Sequence, residues 1–380
     1  LNQRAVDSSL KREVADAHYL AGKIIQTIES PELAMDHFLA AADLQQQLLK
    51  EKPDTESLMA ELGNTLNAIG EAHIRKFELE TALEQFEASS ELRAKLTELN
   101  PDDAEAARTL ANSYMNIGTV YKYQGEFEDA IQAMQRAQMI RVSQIEEKKS
   151  DNPKLKRDLG MGYFNLATVR QELGDADRAE THYLQAVNVF SELRAEQPNS
   201  IDYNRFLAAC QRMLGDLWKE TDLEKSVDYY RRSQGVLENS RSQNPNVVDI
   251  AADLSGLYMN LGDLLHNQGK LDDALDVLDR SIKVLTDLSE DLADVPWYRL
   301  DLGRAQRSVG VILAESGRRG EAKVQLEESR ATLSKLVSED LSNEEFTIEL
   351  ALTMDAIAEL ESLASQTDAE DTNDPQEELP

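Results

Sequence analysis

A repeat of about 48 residues is the feature that most constrains how this chain can fold. Three segments nearly copy one another: residues 114–118 (YMNIG), 163–167 (YFNLA) and 258–262 (YMNLG). We define the small last residue of each segment as an anchor, and anchors recur along the chain at intervals of 47 to 49 residues. The anchors are Gly22, Gly70, Gly118, Ala167, Gly215, Gly262, Gly310 and Ala358. Such a period predicts an array of similar units, each burying its apolar face on its neighbours.

Each unit has the pattern of two packed helices. Seven residues after the anchor, four units carry a Gly, which favours the positive φ that ends a helix: Gly125, Gly174, Gly269 and Gly317. Twelve residues after the anchor, six of seven units carry Ala, and the fifth unit has Ser226 one position earlier. Four residues further on stands a large side chain, in order Phe38, Phe86, Met134, Tyr183, Tyr230, Leu278 and Leu326. Three residues later comes Ala or Ser, and steps of four and three place all of these on one helical face.

This order of small and large residues resembles the tetratricopeptide repeat, whose pattern is Gly, Gly, Ala-x-x-x-Phe/Tyr and Ala. The resemblance extends from about residue 10 to about residue 365. An ordinary repeat has about 34 residues, so we expect both helices of each unit to continue about two extra turns. Pro residues 17 positions before an anchor mark the junctions between units: Pro53, Pro101, Pro198 and Pro245. The long period is similar to the repeat tails of bacterial receptor-like Ser/Thr kinases, although this chain has no kinase motif.

The resemblance implies an all-α fold, a right-handed α-solenoid superhelix of about seven helix hairpins with a C-terminal capping helix near residues 346–364. We expect residues 1–365 to form this solenoid. Residues 366–380 contain six acids and no base, so we predict an acidic disordered tail there. The first residue is not Met, and no signal-peptide core follows it, so we expect the chain to be a segment of a longer protein or a trimmed one.

Charge and composition argue against several functions. The chain has 71 acids and 40 bases, and a net charge of −31 disfavours binding to nucleic acid or anionic lipid. Its apolar runs are far shorter than the ~20 residues that span a bilayer. Cys210 is the only cysteine, which excludes an intrachain disulfide, and we expect it to be buried. The histidines have no metal-ligand spacing: His18, His37, His73, His182 and His266. We therefore predict no metal, no cofactor and no catalytic residues.

Asparagines two residues before three anchors are candidates for partner binding: Asn116, Asn165 and Asn260. The resemblance implies that the first helix of each hairpin lines a concave groove. In peptide-binding relatives, an Asn at the matching place hydrogen-bonds the backbone of the ligand, and a side-chain amide suits this because it both donates and accepts. The other interpretation is that these amides brace neighbouring helices.

Further candidate groove residues lie beside these asparagines. Three residues before the anchor stand Met115, Phe164 and Met259, which would form an exposed apolar stripe, or would instead be buried between units. Arg212 has the same place in the fifth unit, and Lys122 and Lys219 follow their anchors by four residues. The Lys and Asn clamp of chaperone-binding relatives is absent, since Met115 and Phe164 occupy its places. This absence and the acidity of the chain favour a basic or amphipathic protein or peptide partner.

The sequence thus predicts a non-enzymatic scaffold that binds a peptide or a helical segment in its groove. The alternative is a regulatory or sensory segment of a bacterial Ser/Thr kinase or another multidomain signalling protein. A third possibility, an enzyme with an unrecognised site, is supported by no group of residues. The lack of a signal peptide and of disulfides favours the cytoplasm, whereas a membrane anchor before residue 1 would place the chain outside.

Overall fold

In the computed structural model, residues 2–28, 31–147 and 149–371 are described, and within these ranges the chain forms fifteen α-helices, one π-helical turn and no strand. The helices are α1 Asn2–Ile28, α2 Pro31–Glu51, α3 Glu56–Arg75, α4 Leu79–Leu99, α5 Ala104–Gln124, α6 Phe127–Val142, α7 Pro153–Glu172, α8 Ala176–Glu196, α9 Ile201–Trp218, α10 Leu223–Gln243, α11 Val248–Asn267, α12 Leu271–Asp291, α13 Pro296–Glu315, α14 Arg319–Glu339 and α15 Glu344–Asp371. The π-helical turn is Ser143–Glu147, directly after α6. The all-α fold that the sequence predicts is confirmed.

The chain divides into two compact units, Leu1–Leu193 and Arg194–Pro380. The first unit contains three complete hairpins, α1–α2, α3–α4 and α5–α6, followed by α7 and nearly all of α8. The second unit contains the hairpins α9–α10, α11–α12 and α13–α14, followed by α15. Within each unit, consecutive helices pack on one another, so hairpins stack in chain order. This is the stacking expected of an α-solenoid.

Each hairpin is closed by one large side chain, which we call the knob; it packs on the anchor, which is a glycine in all hairpins except the fourth, where it is Ala167. The knob stands 16 residues after the anchor, or 15 in the fifth hairpin. A Cβ atom built on Gly70 would lie 2.7 Å from the Phe86 ring, and one on Gly310 would lie 2.6 Å from Leu326 Cγ. The seven knobs are at most 2% exposed: Phe38, Phe86, Met134, Tyr183, Tyr230, Leu278 and Leu326. In the six hairpins with a glycine anchor, the absence of a side chain on the anchor is therefore what allows the two helices to approach this closely.

A second contact of the same kind explains the long period. Seven residues before the anchor lies another small residue, and it faces a second knob, the side chain seven residues after the first. Leu333 packs on Gly303 in this way, with a built Cβ 2.7 Å from Leu333 Cγ, and Phe190 packs on Gly160. The pairs Gly310–Leu326 and Gly303–Leu333 run in opposite directions along the chain, so the two helices are antiparallel. The extra turns of each helix thus carry a second layer of core.

Buried serines add hydrogen bonds between the two helices of a hairpin. Ser329 Oγ donates to the carbonyl oxygen of Gly303 at 2.7 Å, and Ser89 Oγ donates to Gly63 at 2.8 Å. Ser233 and Ser281 make the same bond in the fifth and sixth hairpins. Each of these serines is at most 1% exposed. A buried hydroxyl that donates to a carbonyl is compatible with the core, so either Ser or Ala can occupy this position of the repeat.

The predicted turns are confirmed, because the four turn glycines have φ between +71° and +80°. The second hairpin has Phe77 at the same position, also with a positive φ, +58°, and 73% exposed. A bulky residue rarely adopts this conformation. Cys210 is 1% exposed, as expected, and burial raises the pKa of its thiol to about 12.

The C-terminal helix is longer than the sequence analysis predicts. Helix α15 continues to Asp371, so residues 366–371, expected to begin a disordered tail, are helical. Neither Gly nor Pro occurs before Pro375 in this stretch, so nothing local stops the helix. Residues 372–380 lie outside the described residues. Within the described part of the chain, none of the helices combines the length and the apolar character needed to cross a membrane.

The closeness of the knob and its anchor can be tested by one substitution at two sites of α11. Ala at a helical position normally raises the free energy of unfolding relative to Gly by about 0.5–1 kcal/mol. We expect this gain from Gly256→Ala, because a Cβ there meets nothing within 4 Å. Gly262→Ala should instead lower the free energy of unfolding by about 1–3 kcal/mol, since its Cβ would lie 2.5 Å from Leu278 Cγ. Urea unfolding followed by circular dichroism measures both, and a gain from Gly262→Ala would contradict the packing.

Candidate functional site

The first helices of consecutive hairpins lie side by side in each unit. Helix α5 contacts α7 in the first unit, and α11 contacts both α9 and α13 in the second. We call the surface formed by these helices the first-helix face. It is the surface on which the sequence predicts partner binding, and polar side chains occur on it at repeated positions.

Ion pairs connect the first helices of neighbouring hairpins on this face. The acid always stands nine residues before its anchor, and in three pairs the arginine stands ten residues before its own anchor. Arg108 Nε donates to Asp158 at 2.7 Å, and Arg205 Nε donates to Asp253 at 2.6 Å. The remaining pairs are Arg12 with Glu61, and Arg304 with Glu349 at 2.9 Å. These pairs hold hairpin one to two, three to four, five to six, and seven to α15.

The three candidate asparagines differ in what they contact. Asn116 is half-buried, and its Nδ2 donates to Asn67 Oδ1 at 2.9 Å, so it braces the second and third hairpins. The side-chain amide of Asn165 is half-buried and has no hydrogen-bond partner among the described residues. Asn260 is exposed and lines a cleft in the second unit. The bracing interpretation therefore applies to Asn116, whereas Asn165 and Asn260 keep their amides open to solvent.

The apolar residues next to these asparagines do not form an exposed stripe. Met115 is 7% exposed and belongs to a core cluster with Leu166 and Val169. Phe164 is half-buried, with its ring edge-on to Tyr183 at a centroid distance of 5.6 Å. Met259 is also half-buried, against a cluster around Leu285, Leu302 and Ala305. Met115 and Met259 are thus covered by the next hairpin, as the alternative interpretation expects, whereas Phe164 packs on the Tyr183 ring of its own hairpin.

The three candidate basic residues differ in whether they form an ion pair within the protein. Lys122 pairs with Glu172 of the next hairpin at 2.9 Å, and Arg212 pairs with Asp216 on its own helix at 2.9 Å. Lys219 is exposed and lines the same cleft as Asn260. Only Lys219 and Asn260 are thus brought together among the nine candidate residues.

The cleft of the second unit has a volume of about 380 Å³ and lies between α9, α10 and α11. Its charged lining is Asp216, Glu220 and Asp263 with Lys219, which gives three acids and one base. Tyr230 donates its hydroxyl hydrogen to Asp216 Oδ1, and burial and this bond raise the pKa of the tyrosine. Desolvation raises the pKa of Asp263, against the opposing charges of His266 and Arg307. The cleft therefore attracts positive charge.

Two features of this surface are not among the predictions from the sequence. The ion pairs could have been found, since Arg12, Arg108 and Arg205 share one repeat position and their acids share another. The close approach of His18 and His37 could not, since their Nδ1 atoms lie 2.9 Å apart on different helices of the first hairpin. Among the described residues, no three His, Cys, Asp or Glu side chains converge as metal ligands.

Comparison with known proteins identifies the repeats and the fold. Family models described as tetratricopeptide repeat match residues 111–141, 162–191 and 255–288. The structure is similar to that of BtubC from P. vanneervenii, with 17% sequence identity, coverage of 68% of this chain and 92% of that chain, and a TM-score of 0.53. It is also similar to a signal transduction ATPase with numerous domains, with a tetratricopeptide repeat sensor, from Pyrococcus horikoshii. That likeness has 12% identity, a TM-score of 0.52, and coverage of 88% of this chain and 46% of the other. No curated protein sequence matches this chain.

The different contacts of Asn116 and Asn165 predict different effects on stability. Asn116→Ala removes the hydrogen bond to Asn67, so we expect it to lower the free energy of unfolding by about 1 kcal/mol. Asn165→Ala removes no internal bond and should change the free energy of unfolding by less than about 0.5 kcal/mol. Urea unfolding of both variants is the measurement. Equal losses would show that Asn165 also serves as a brace.

Proposed function

We propose that this chain, in which three segments match models of the tetratricopeptide repeat, is a non-enzymatic interaction scaffold that binds a peptide or a helical segment of a partner protein on its first-helix face. Repeats of this kind bury their core between neighbours and leave a long side-chain surface for recognition. The open amides of Asn165 and Asn260 are the observation that carries the proposal, because each stands at the repeat position where relatives hold a ligand backbone.

The chemistry of an amide supports recognition of a main chain. An extended peptide offers an N–H and a C=O from each residue, and one Asn side chain can donate to the carbonyl and accept from the N–H. Asn116 would not act in this way, since its Nδ2 is used on Asn67. We therefore assign binding to Asn165 in the first unit and to Asn260 in the second, and bracing to Asn116.

The charge around Asn260 supports a basic partner segment. Asp216, Glu220 and Asp263 share the cleft with Asn260, and Lys219 is the one base in its lining. An arginine or lysine side chain of a bound peptide could thus pair with carboxylates while its backbone contacts the amide. Burial raises the pKa of Asp263, so its carboxylate takes up a proton at a higher pH than an ordinary aspartate does. As the solution is acidified, the affinity for a basic peptide should therefore begin to fall at a higher pH than a cleft with ordinary aspartates would show.

The remaining functional predictions from the sequence stay predictions. These are the attachment of this chain to a bacterial Ser/Thr kinase or another signalling protein, and its location in the cytoplasm. Met115 has no part in the proposed binding, because its side chain is covered by the next hairpin. Phe164 and Met259 can contribute only their exposed edges.

Selection of peptides from a random ten-residue library on the full chain tests this function. We expect the selected peptides to carry a net positive charge and to bind less tightly in 0.5 M salt. For a selected peptide, Asn260→Ala or Asn165→Ala should weaken binding about fivefold, which corresponds to one lost hydrogen bond of about 1 kcal/mol, as measured by fluorescence anisotropy.

A matched control is Asn246→Ala, at an exposed asparagine in the loop before α11. It should bind every selected peptide like the wild type. Peptides that bind both the Asn165→Ala and the Asn260→Ala variants with unchanged affinity would refute the assignment of the first-helix face. A selection that yields only acidic peptides would refute the charge argument.

A further inference from the structure

Helix α15 stands where the first helix of an eighth hairpin would stand. One of its two packing faces is buried against the hairpin before it. Phe346, Thr353, Ile357 and Leu360 are each at most 9% exposed. The first three stand 12, 5 and 1 positions before the anchor Ala358, and Leu360 stands two positions after it. Phe346 packs in a cluster with Leu300, Leu333 and Leu336 of the α13–α14 hairpin. This face therefore makes the contact between hairpins that each first helix makes with the hairpin before it.

The other packing face of α15 is open. In α13, this face takes the second helix of the hairpin, α14, and its residues are buried: Leu300, Gly303, Gln306 and Gly310. The residues at the same repeat positions of α15 are Ile348, Ala351, Met354 and Ala358. All four are exposed, Ile348 by 56% and Met354 by 54%, and no described helix covers them. We call these four residues the open face of α15.

The open face has small residues at the positions where α13 packs against its second helix. Ala351 and Ala358 are seven residues apart, as are Gly303 and Gly310, which receive Leu333 and Leu326 of α14. An alanine serves as the anchor of the fourth hairpin as well, where the knob Tyr183 is fully buried. Large and small residues thus alternate along this face in the order Ile348, Ala351, Met354 and Ala358, and the two alanines leave room for two side chains that are also seven residues apart.

The chemistry of this face differs from that of a solvated cap. A helix face that stays in solvent ordinarily carries polar and charged residues. Ile348 and Met354 instead present apolar side chains, and Leu352 next to them is 42% exposed. A contiguous exposed apolar surface of this kind marks an interaction site.

Charge identifies the occupant. Helix α15 contains nine acids and no Lys, Arg or His in its 28 residues. Asp355 and Glu359 lie directly beside Met354 and Ala358 and are exposed. A helix that covers the open face must therefore bring its own positive charge to the flanks, or it would place further acids against these carboxylates.

We propose that the open face of α15 binds a basic amphipathic helix of a partner protein. The helix lies antiparallel to α15, as α14 lies on α13, and seats two large apolar side chains seven residues apart over Ala351 and Ala358. Lysines or arginines on its flanks pair with carboxylates of α15. This site is distinct from the first-helix face, and it does not depend on the function proposed for that face.

The test uses a helical peptide made from this chain's own α14. The probe is the sequence of residues 319–339 with Glu321, Glu327, Glu328 and Glu339 replaced by Lys, which keeps the two knobs, Leu326 and Leu333. Fluorescence anisotropy with the full chain should show binding that weakens at least tenfold in the Met354→Glu variant. It should also weaken at least tenfold when both knob leucines of the peptide are replaced by Ala, and several-fold in 0.5 M salt.

Two control variants accompany this test. Met139→Glu makes the same substitution at a methionine of α6 that is 71% exposed, and it should bind the probe like the wild type. Asn260→Ala should also bind it unchanged, which separates this site from the first-helix face. Circular dichroism of the Met354→Glu variant should match the wild type, since the side chain is exposed in the folded chain.

Three outcomes would overturn the proposal. Equal binding of the probe to the wild type and to Met354→Glu would remove the open face as its site. Equal binding of the peptides with and without knobs would show attraction by charge alone. Sedimentation of the wild type as a dimer, with Met354→Glu as a monomer, would assign the open face to a second copy of this chain.

Discussion

The contact between a knob and its anchor glycine is the interaction on which the rest of this structure depends. It brings the backbones of two helices together at one point, where Phe86 lies on Gly70 or Leu326 on Gly310. A single point would leave the crossing angle of the helices free. The second contact, seven residues or about 10 Å along the helix, removes this freedom. The long period is thus a way of fixing each hairpin at two points, so that the surface of its first helix is held in a defined orientation.

Much of the polar surface on the first helices is occupied by bonds within the protein. Arg108, Arg205 and Asn116 all have partners on a neighbouring hairpin. Among the described residues, the side-chain amides of Asn165 and Asn260 have no such partner, and these are the groups, with the acidic cleft around Asn260, that we propose for recognition. A small number of unengaged groups on a rigid surface is typical of binding sites, in which few residues supply most of the affinity.

The sequence predicted what depends on the size of side chains within a hairpin. The anchors, the knobs and the positive φ of the turn glycines all follow from residues at fixed separation on two adjacent helices. It did not settle what depends on the distance between hairpins. Met115 is buried because the next hairpin brings Leu166 over it, and Asn116 is a brace because Asn67 happens to lie opposite. The tail was expected to be disordered because its acidic composition offers little apolar surface to bury. A helix that contains no Gly or Pro can nevertheless continue past its last buried residue, and α15 does so as far as Asp371.

The ion pairs of the first-helix face have an uneven distribution along the chain. They join hairpin one to two and three to four in the first unit, and five to six and seven to α15 in the second. The seam between hairpins two and three lacks this pair, since Ala60 and Thr109 hold its two positions, and the seam between six and seven has Ala252 in place of the arginine. Other polar contacts hold these two junctions: Arg93 and Asn116 make hydrogen bonds across the junction of hairpins two and three, and His266 Nε2 lies 2.6 Å from Glu315 across the junction of hairpins six and seven. Each unit therefore alternates two kinds of polar link between its hairpins, so a substitution that removes one arginine leaves the links at the neighbouring junctions in place.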